Sequence, residues 1–141
     1  MTVRAFTDGA SRGNPGEAGI GVLALDEAGT TILSLHGYIG VSTNNVAEYT
    51  ALLTLLEHAG EMPWTRLVIH SDSELMVRQL NGRYRVRDAG LKPLHEKASR
   101  LLKALPFDHI IRHVPREENR DADLLANRGI DEKNSIVFVG K

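Results

Sequence analysis

The chain has no cysteine among its 141 residues. That excludes a disulfide framework and a thiolate metal site, and it fits a reducing compartment. No apolar stretch approaches the roughly 20 residues of a membrane span, so no membrane association is expected. The opening Met1–Phe6 enters an extended pattern directly and lacks signal-peptide organisation; a cytoplasmic address is the expectation. Net charge is almost absent as well, at −1 with histidine neutral. Bulk electrostatics therefore do not advertise a polyanion partner. A local acidic cluster would mask basic surface in that sum, and a bound divalent cation would reverse the local sign, so the total decides little. Internal repeats, low-complexity runs and linkers are missing too. The 42% apolar and 25% charged composition is ordinary for a globular chain. One domain over residues 1–141 is expected, burying about 68–70% of its unfolded surface.

The pattern along the chain is alternating. Residues 3–8 read as a strand, and 9–16 as a turn-rich stretch, Gly-Ala-Ser-Arg-Gly-Asn-Pro-Gly. Extended segments follow near 19–26 and 30–39, split by a hairpin turn at Asp26-Glu27-Ala28-Gly29. A helix is predicted over 45–60, with Asn45 and Glu48 as a capping box and Gly60 as its stop. Its apolar stripe is Leu52, Leu55, Leu56 and Ala59. Residues 65–72 read as a central strand, because Leu67-Val68-Ile69 is a continuous apolar run of the kind covered on both faces. Helices near 73–81 and 91–105, a strand at 108–114 and a helix at 119–128 complete the order. The tail from Ser135 is apolar and extended, as for an edge strand or a docking segment. This order implies an α/β domain with a mixed sheet.

Within that frame four carboxylates stand apart: Asp8, Glu48, Asp72 and Asp123. Asp8 and Asp72 each close an apolar strand, where sites gather in such sheets. Glu48 falls on the inward stripe of its helix, four residues before Leu52, and Asp123 lies near the start of another helix. Ionised carboxylates beside a core are costly unless a cation compensates them. Hard divalent ions held by a few carboxylates plus substrate phosphates satisfy that need. The set points to metal-assisted chemistry on a phosphodiester.

Four motifs in order resemble those of type 1 ribonuclease H. They are Phe6-Thr7-Asp8-Gly9-Ala10-Ser11 with Gly13-Asn14-Pro15-Gly16, Thr43-Asn44-Asn45-Val46-Ala47-Glu48-Tyr49, Ser71-Asp72-Ser73, and Asn119-Arg120-Asp121-Ala122-Asp123-Leu124-Leu125-Ala126. The resemblance implies a ribonuclease H-like fold, with a five-stranded mixed sheet, three antiparallel strands first and two parallel ones after, flanked by helices. It implies an endonuclease that hydrolyses the RNA strand of RNA–DNA hybrids, leaving 5′-phosphate and 3′-hydroxyl ends. Two Mg²⁺ ions, or Mn²⁺, would be held by Asp8, Glu48, Asp72 and Asp123. In such a site, ions about 3.5–4 Å apart clamp the attacking and leaving oxygens. Asn14, Asn44 and Asn45 match positions that meet the hybrid in its minor groove, where the 2′-hydroxyl separates RNA from DNA. Thr43 resembles a residue on a DNA phosphate. Glycines at 9 and 13 would let backbone N–H groups approach phosphates. A monomer is expected, with no separate hybrid-binding domain ahead of residue 1.

Several features depart from the family pattern. The long basic protrusion of some members is missing; only Arg83, Arg85 and Arg87 stand in that region, and a solvated connector explains them as well as a grip on DNA. His113 stands before the fourth motif without the flexible glycine-containing loop, which favours a structural strand-end histidine. His36, His58, His70, His95 and His109 carry no motif. Glu74 reads as a first-turn acid favoured by the helix dipole, and Glu117, Glu118 and Asp121 as solvated charges. Gly19-Ile20-Gly21-Val22-Leu23-Ala24 fits a dinucleotide fingerprint only as a string; its context is a strand whose glycines face a close neighbour. A noncatalytic binding module is disfavoured by retention of all four acids, and a nuclease for DNA or structured RNA by the Asn44-Asn45 pair.

Overall fold

The computed structural model describes residues 1–140, with side chains to Ile136; of the expected span 1–141, Lys141 lies outside the described residues. Three long strands open the chain: β1 (Thr2–Gly13), β2 (Gly16–Leu25) and β3 (Thr31–Ser42). Helix α1 (Asn44–Ala59) follows, then β4 (Arg66–Ser71), α2 (Glu74–Leu80), α3 (Lys92–Ala104), β5 (Asp108–His113), a single 3-10 turn (Arg116–Glu118), α4 (Arg120–Glu132) and β6 (Val137–Gly140). The sheet order is β5-β4-β1-β2-β3-β6. β1, β2 and β3 pair antiparallel, while β1, β4 and β5 run parallel. The expected five-stranded mixed sheet is present, and the tail adds β6 antiparallel to the β3 edge.

One face of the sheet makes the core. Val3, Ala5, Val22, Ala24, Leu33, Leu35, Leu67 and Ile69 meet Leu52, Leu55 and Leu56 of α1, all nearly or fully buried. Each such leucine contributes about 1.5–3 kcal/mol on leaving water. α3 packs on the back of α1, so that helix is buried nearly all round. The second face is covered by α4, which lies over β1, β2 and β3. That coverage stops short of β4 and β5. Val68 is only half-buried and Ile110 is 37% exposed. The expectation that β4 is covered on both faces is thus corrected: an apolar run reports one buried face plus β-propensity, and the same letters serve a half-open strand.

Two more local readings change. The turn in the stretch 9–16 is confined to Asn14-Pro15, because β1 continues to Gly13 and pairs Gly13 with Gly16. Turn-type residues sit at that hairpin's tip only, and Ser11 and Arg12 remain in the ladder. Helix α1 begins earlier than Asn45, with Thr43 as its N-cap accepting from the Val46 N–H at 3.2 Å. Glu48 is therefore free of a capping box. The hairpin at Asp26–Gly29 is present, with Asp26 Oδ1 accepting from the Ala28 and Thr30 N–H groups and Gly29 at φ 83°. Between α2 and α3 there is only a connector, residues 81–91, and no protruding helix.

Candidate active site

Strand register decides where the first two carboxylates emerge. The parallel ladder between β1 and β4 ends at the pair Thr7–Ser71. Asp8 and Asp72 are the next residue along each segment, so the adjacent strands β1 and β4 bring them out side by side. Asp8 nevertheless sits inside β1, opposite Gly21 of β2; it closes the parallel pairing, not the strand. Asp72 stands between β4 and α2, whose N-cap is Ser73.

Helix α1 brings the third carboxylate. Its start lies so near β1 that a Cβ at position 9 would come within 2.2 Å of the Ala47 carbonyl carbon. Gly9 leaves that space empty, and its N–H donates to Glu48 Oε1 at 2.7 Å. Carboxylate oxygens of Asp8, Glu48 and Asp72 all lie within 4.8 Å of one another. Asp123 lies in the first turn of α4 and is not one of that close trio. It lines the same cleft of about 460 Å³, together with Asn44, Arg12, Arg116 and Asn127.

α4 reaches this position through backbone proximity. A Cβ at Gly21 would meet the Ala122 carbonyl oxygen at 2.2 Å, and one at Gly19 the Ala126 oxygen at 2.3 Å. The two glycines that mimic a dinucleotide fingerprint are the seat of the helix. Asn119, at the head of α4 and 1% exposed, donates from Nδ2 to the Thr7 carbonyl at 2.9 Å. Helix α4 is thereby registered on the residue preceding Asp8.

Three buried or half-buried acids in contact repel. Burial first, then the charges of Glu48 and Asp72, push the Asp8 carboxyl up to about 10. Burial and the Asp72 charge push Glu48 up to about 8, against the opposing pull of the Gly9 N–H. Among the described residues no cation forms an ion pair with the trio. A closely spaced set of hard oxygen donors that holds its protons this strongly is suited to a divalent metal, which would displace them.

A family model described as reverse transcriptase-like matches residues 6–129. A ribonuclease HI of Halobacterium salinarum is 39% identical over 130 residues, covering 92% of this chain and 65% of the relative. A ribonuclease H of Halorhodospira halophila is 39% identical over 143 residues, covering 92% of this chain and 93% of the relative. The chain belongs to the ribonuclease H family. Among solved structures, LC11-RNase H1 in complex with an RNA/DNA hybrid is 40% identical with a TM-score of 0.86, over 92% of this chain and 97% of that one. The chain spans 65% of the length of the Halobacterium relative.

In this family member the residues expected to meet substrate have local duties as well. The Gly9 N–H, expected to approach a phosphate, donates to Glu48 Oε1. Asn14 Oδ1 accepts from the Asn44 N–H at 3.1 Å, and Asn44 Oδ1 accepts from the Ser11 N–H at 3.0 Å. These bonds strap the β1–β2 hairpin to the start of α1. Thr43 is occupied as the cap, and Asn45 is exposed one residue beyond. His113 is exposed at the end of β5 and is not among the cleft residues. Sequence reading passed over Arg12, Arg116 and Asn127, which do line the cleft. Isolated surface-type residues carry no periodic signal. The one available cue was place: Arg12 within the first motif, Arg116 and Asn127 flanking the fourth.

Proposed function

We propose that residues 1–141 act as one ribonuclease H domain that hydrolyses the RNA strand of RNA–DNA hybrids, leaving 5′-phosphate and 3′-hydroxyl ends. The observation that carries this reading is the convergence of Asp8, Glu48 and Asp72 within 4.8 Å, at the floor of a cleft that Asp123 walls. Asp8, Glu48, Asp72 and Asp123 would hold two divalent ions, Mg²⁺ with Mn²⁺ as the alternative. When bound, such ions lower the pKa of a coordinated water and neutralise charge on the leaving oxygen. The chain's own contribution is preorganisation. Gly9 fixes one oxygen of Glu48, and the Asn119 bond to Thr7 sets α4 against β1. Asn14, Asn44 and Asn45 offer amide donors at the cleft's edge for the 2′-hydroxyl that marks RNA, and Thr43 stands beside them for a DNA phosphate. The hybrid bound by LC11-RNase H1 supports this choice of substrate. A monomer acting in the cytoplasm fits the cysteine-free composition.

The test offers labelled RNA–DNA hybrid, single-stranded RNA, duplex RNA and duplex DNA, each with and without Mg²⁺. Cleavage confined to the RNA of the hybrid, requiring metal and abolished by Asp8→Asn, is the expected result. Bound but uncut hybrid would instead mark a binding module, and degraded duplex DNA a different nuclease.

A further inference from the structure

The cleft floor is acidic, yet a polyanion must lie across it. Cations compensating the approach must therefore stand beside the carboxylates, and Arg12 is one that the fold holds in place. It projects from β1 on the same face as Asp8, because residues 8, 10 and 12 share a face in a strand. The separation along β1 is about 13 Å at a strand's rise per residue. Both residues line one cleft.

The guanidinium is held from α4. Nη1 lies 2.7 Å from Asp131 Oδ1, and Nη2 donates to Asn127 Oδ1 at 3.3 Å. Asn127 in turn donates from Nδ2 to Asp123 Oδ1 at 3.3 Å. A single run of polar contacts thus joins Arg12 to the fourth carboxylate. The ion pair is also open to solvent, with the Arg12 and Asp131 side chains 47% and 64% exposed. An exposed pair of that kind contributes about 0–1 kcal/mol, so it is cheaply exchanged. A phosphodiester oxygen can take the place of Asp131 Oδ1 on Nη1, and the guanidinium fork also suits a phosphate in bidentate fashion.

We propose that Arg12 forms a phosphate subsite for the RNA strand, on a phosphodiester flanking the one at the carboxylates, and that Asp131 is its stand-in counterion in the free protein. The proposal rests on the hybrid-nuclease reading. Asp131 then acts as a brake on affinity, while Asn127 keeps the guanidinium aimed along the cleft and ties its position to Asp123.

The experiment measures binding of a fluorescently labelled hybrid by anisotropy, in Mg²⁺, across a series of KCl concentrations. It uses an Asp72→Asn background so that the hybrid stays intact. Arg12→Ala is expected to weaken binding roughly tenfold, as for a lost charge-assisted bond, and to flatten the plot of log K against log salt by about one unit. Arg12→Lys keeps the slope and recovers part of the affinity. Asp131→Asn tightens binding when Arg12 is present and does so less in Arg12→Ala, a dependence that charge removal alone would not give. An unchanged salt slope in Arg12→Ala, or weaker binding in Asp131→Asn, overturns the proposal. Parallel cleavage by the chain with Asp72 intact separates the two readings: no cleavage of hybrid removes the enzymatic one, while the salt slopes still decide on Arg12.

Discussion

At the scale of single residues, the cleft is governed by proton affinity. The Asp8 and Glu48 carboxyls stand at about 10 and about 8 in the folded chain, above their ordinary values of 3.8 and 4.5. The metal-free folded chain therefore holds protons that the unfolded chain has released. The stability this contributes is fully present below about pH 4 and is lost as pH rises toward the folded values. Divalent metal competes for the same oxygens, so its stabilising effect runs the other way. In chelator, the melting temperature should fall between about pH 6 and pH 9, and fall less in Asp8→Asn. Millimolar Mg²⁺ should raise it more at pH 8 than at pH 5. Scanning fluorimetry with and without metal checks both, and a metal-independent melting temperature over that range would count against the cluster.

At the scale of elements, the distances that matter are set by missing side chains. Gly9 admits α1 against β1, while Gly19 and Gly21 admit α4 against β2. Gly21→Ala forces a methyl to within 2.2 Å of the Ala122 carbonyl, so the helix must shift and Asp123 with it. A loss of about 1–3 kcal/mol in urea unfolding is expected, accompanied by weaker Mg²⁺ binding in calorimetric titration. Gly60→Ala is the control. Gly60 sits at φ −61° with its nearest atom at 3.8 Å, and alanine there should be neutral or stabilising by up to about 1 kcal/mol. Equal damage from both substitutions would remove the close-packing account of α4.

At the scale of the whole molecule, the apolar core lies between α1 and the sheet, while the cleft opens where the β1–β4 ladder ends. Residues 3 and 5 of β1 face α1, whereas Asp8 faces α4. Stability and chemistry are accordingly separable. Leu55→Ala, at a fully buried position of α1, should cost about 2–5 kcal/mol and yet leave the pH dependence of the Mg²⁺ effect intact. Denaturant titration and the fluorimetry described above read the two quantities independently. If the pH response of the Mg²⁺ effect vanished with Leu55, packing and metal site would be one cooperative unit.

Much of this was legible in the residues alone. Helical periodicity around Leu52, Leu55 and Leu56 placed Glu48 inward, and the apolar runs ending at Asp8 and Asp72 placed both acids just past the β1–β4 ladder, although β1 itself runs on. Such patterns are local and repeat with the geometry of the backbone, so one chain suffices to read them. The cap of α1, the extension of β1 through Ser11 and Arg12 and the half-open face of β4 were not legible. Each depends on what another segment does: Thr43 or Asn45 can cap until the helix start meets β1, and Val68 is core or surface according to how far α4 reaches. The sequence by itself determined which side chains are available and which face of each element they occupy. Only the tertiary structure decided that Glu48 spends its oxygen on Gly9, that Asp123 of α4 comes to Asp8 in the same cleft, and that Arg12 shares it. Those are distances between segments remote in the chain, and they are fixed by packing, which no local pattern encodes.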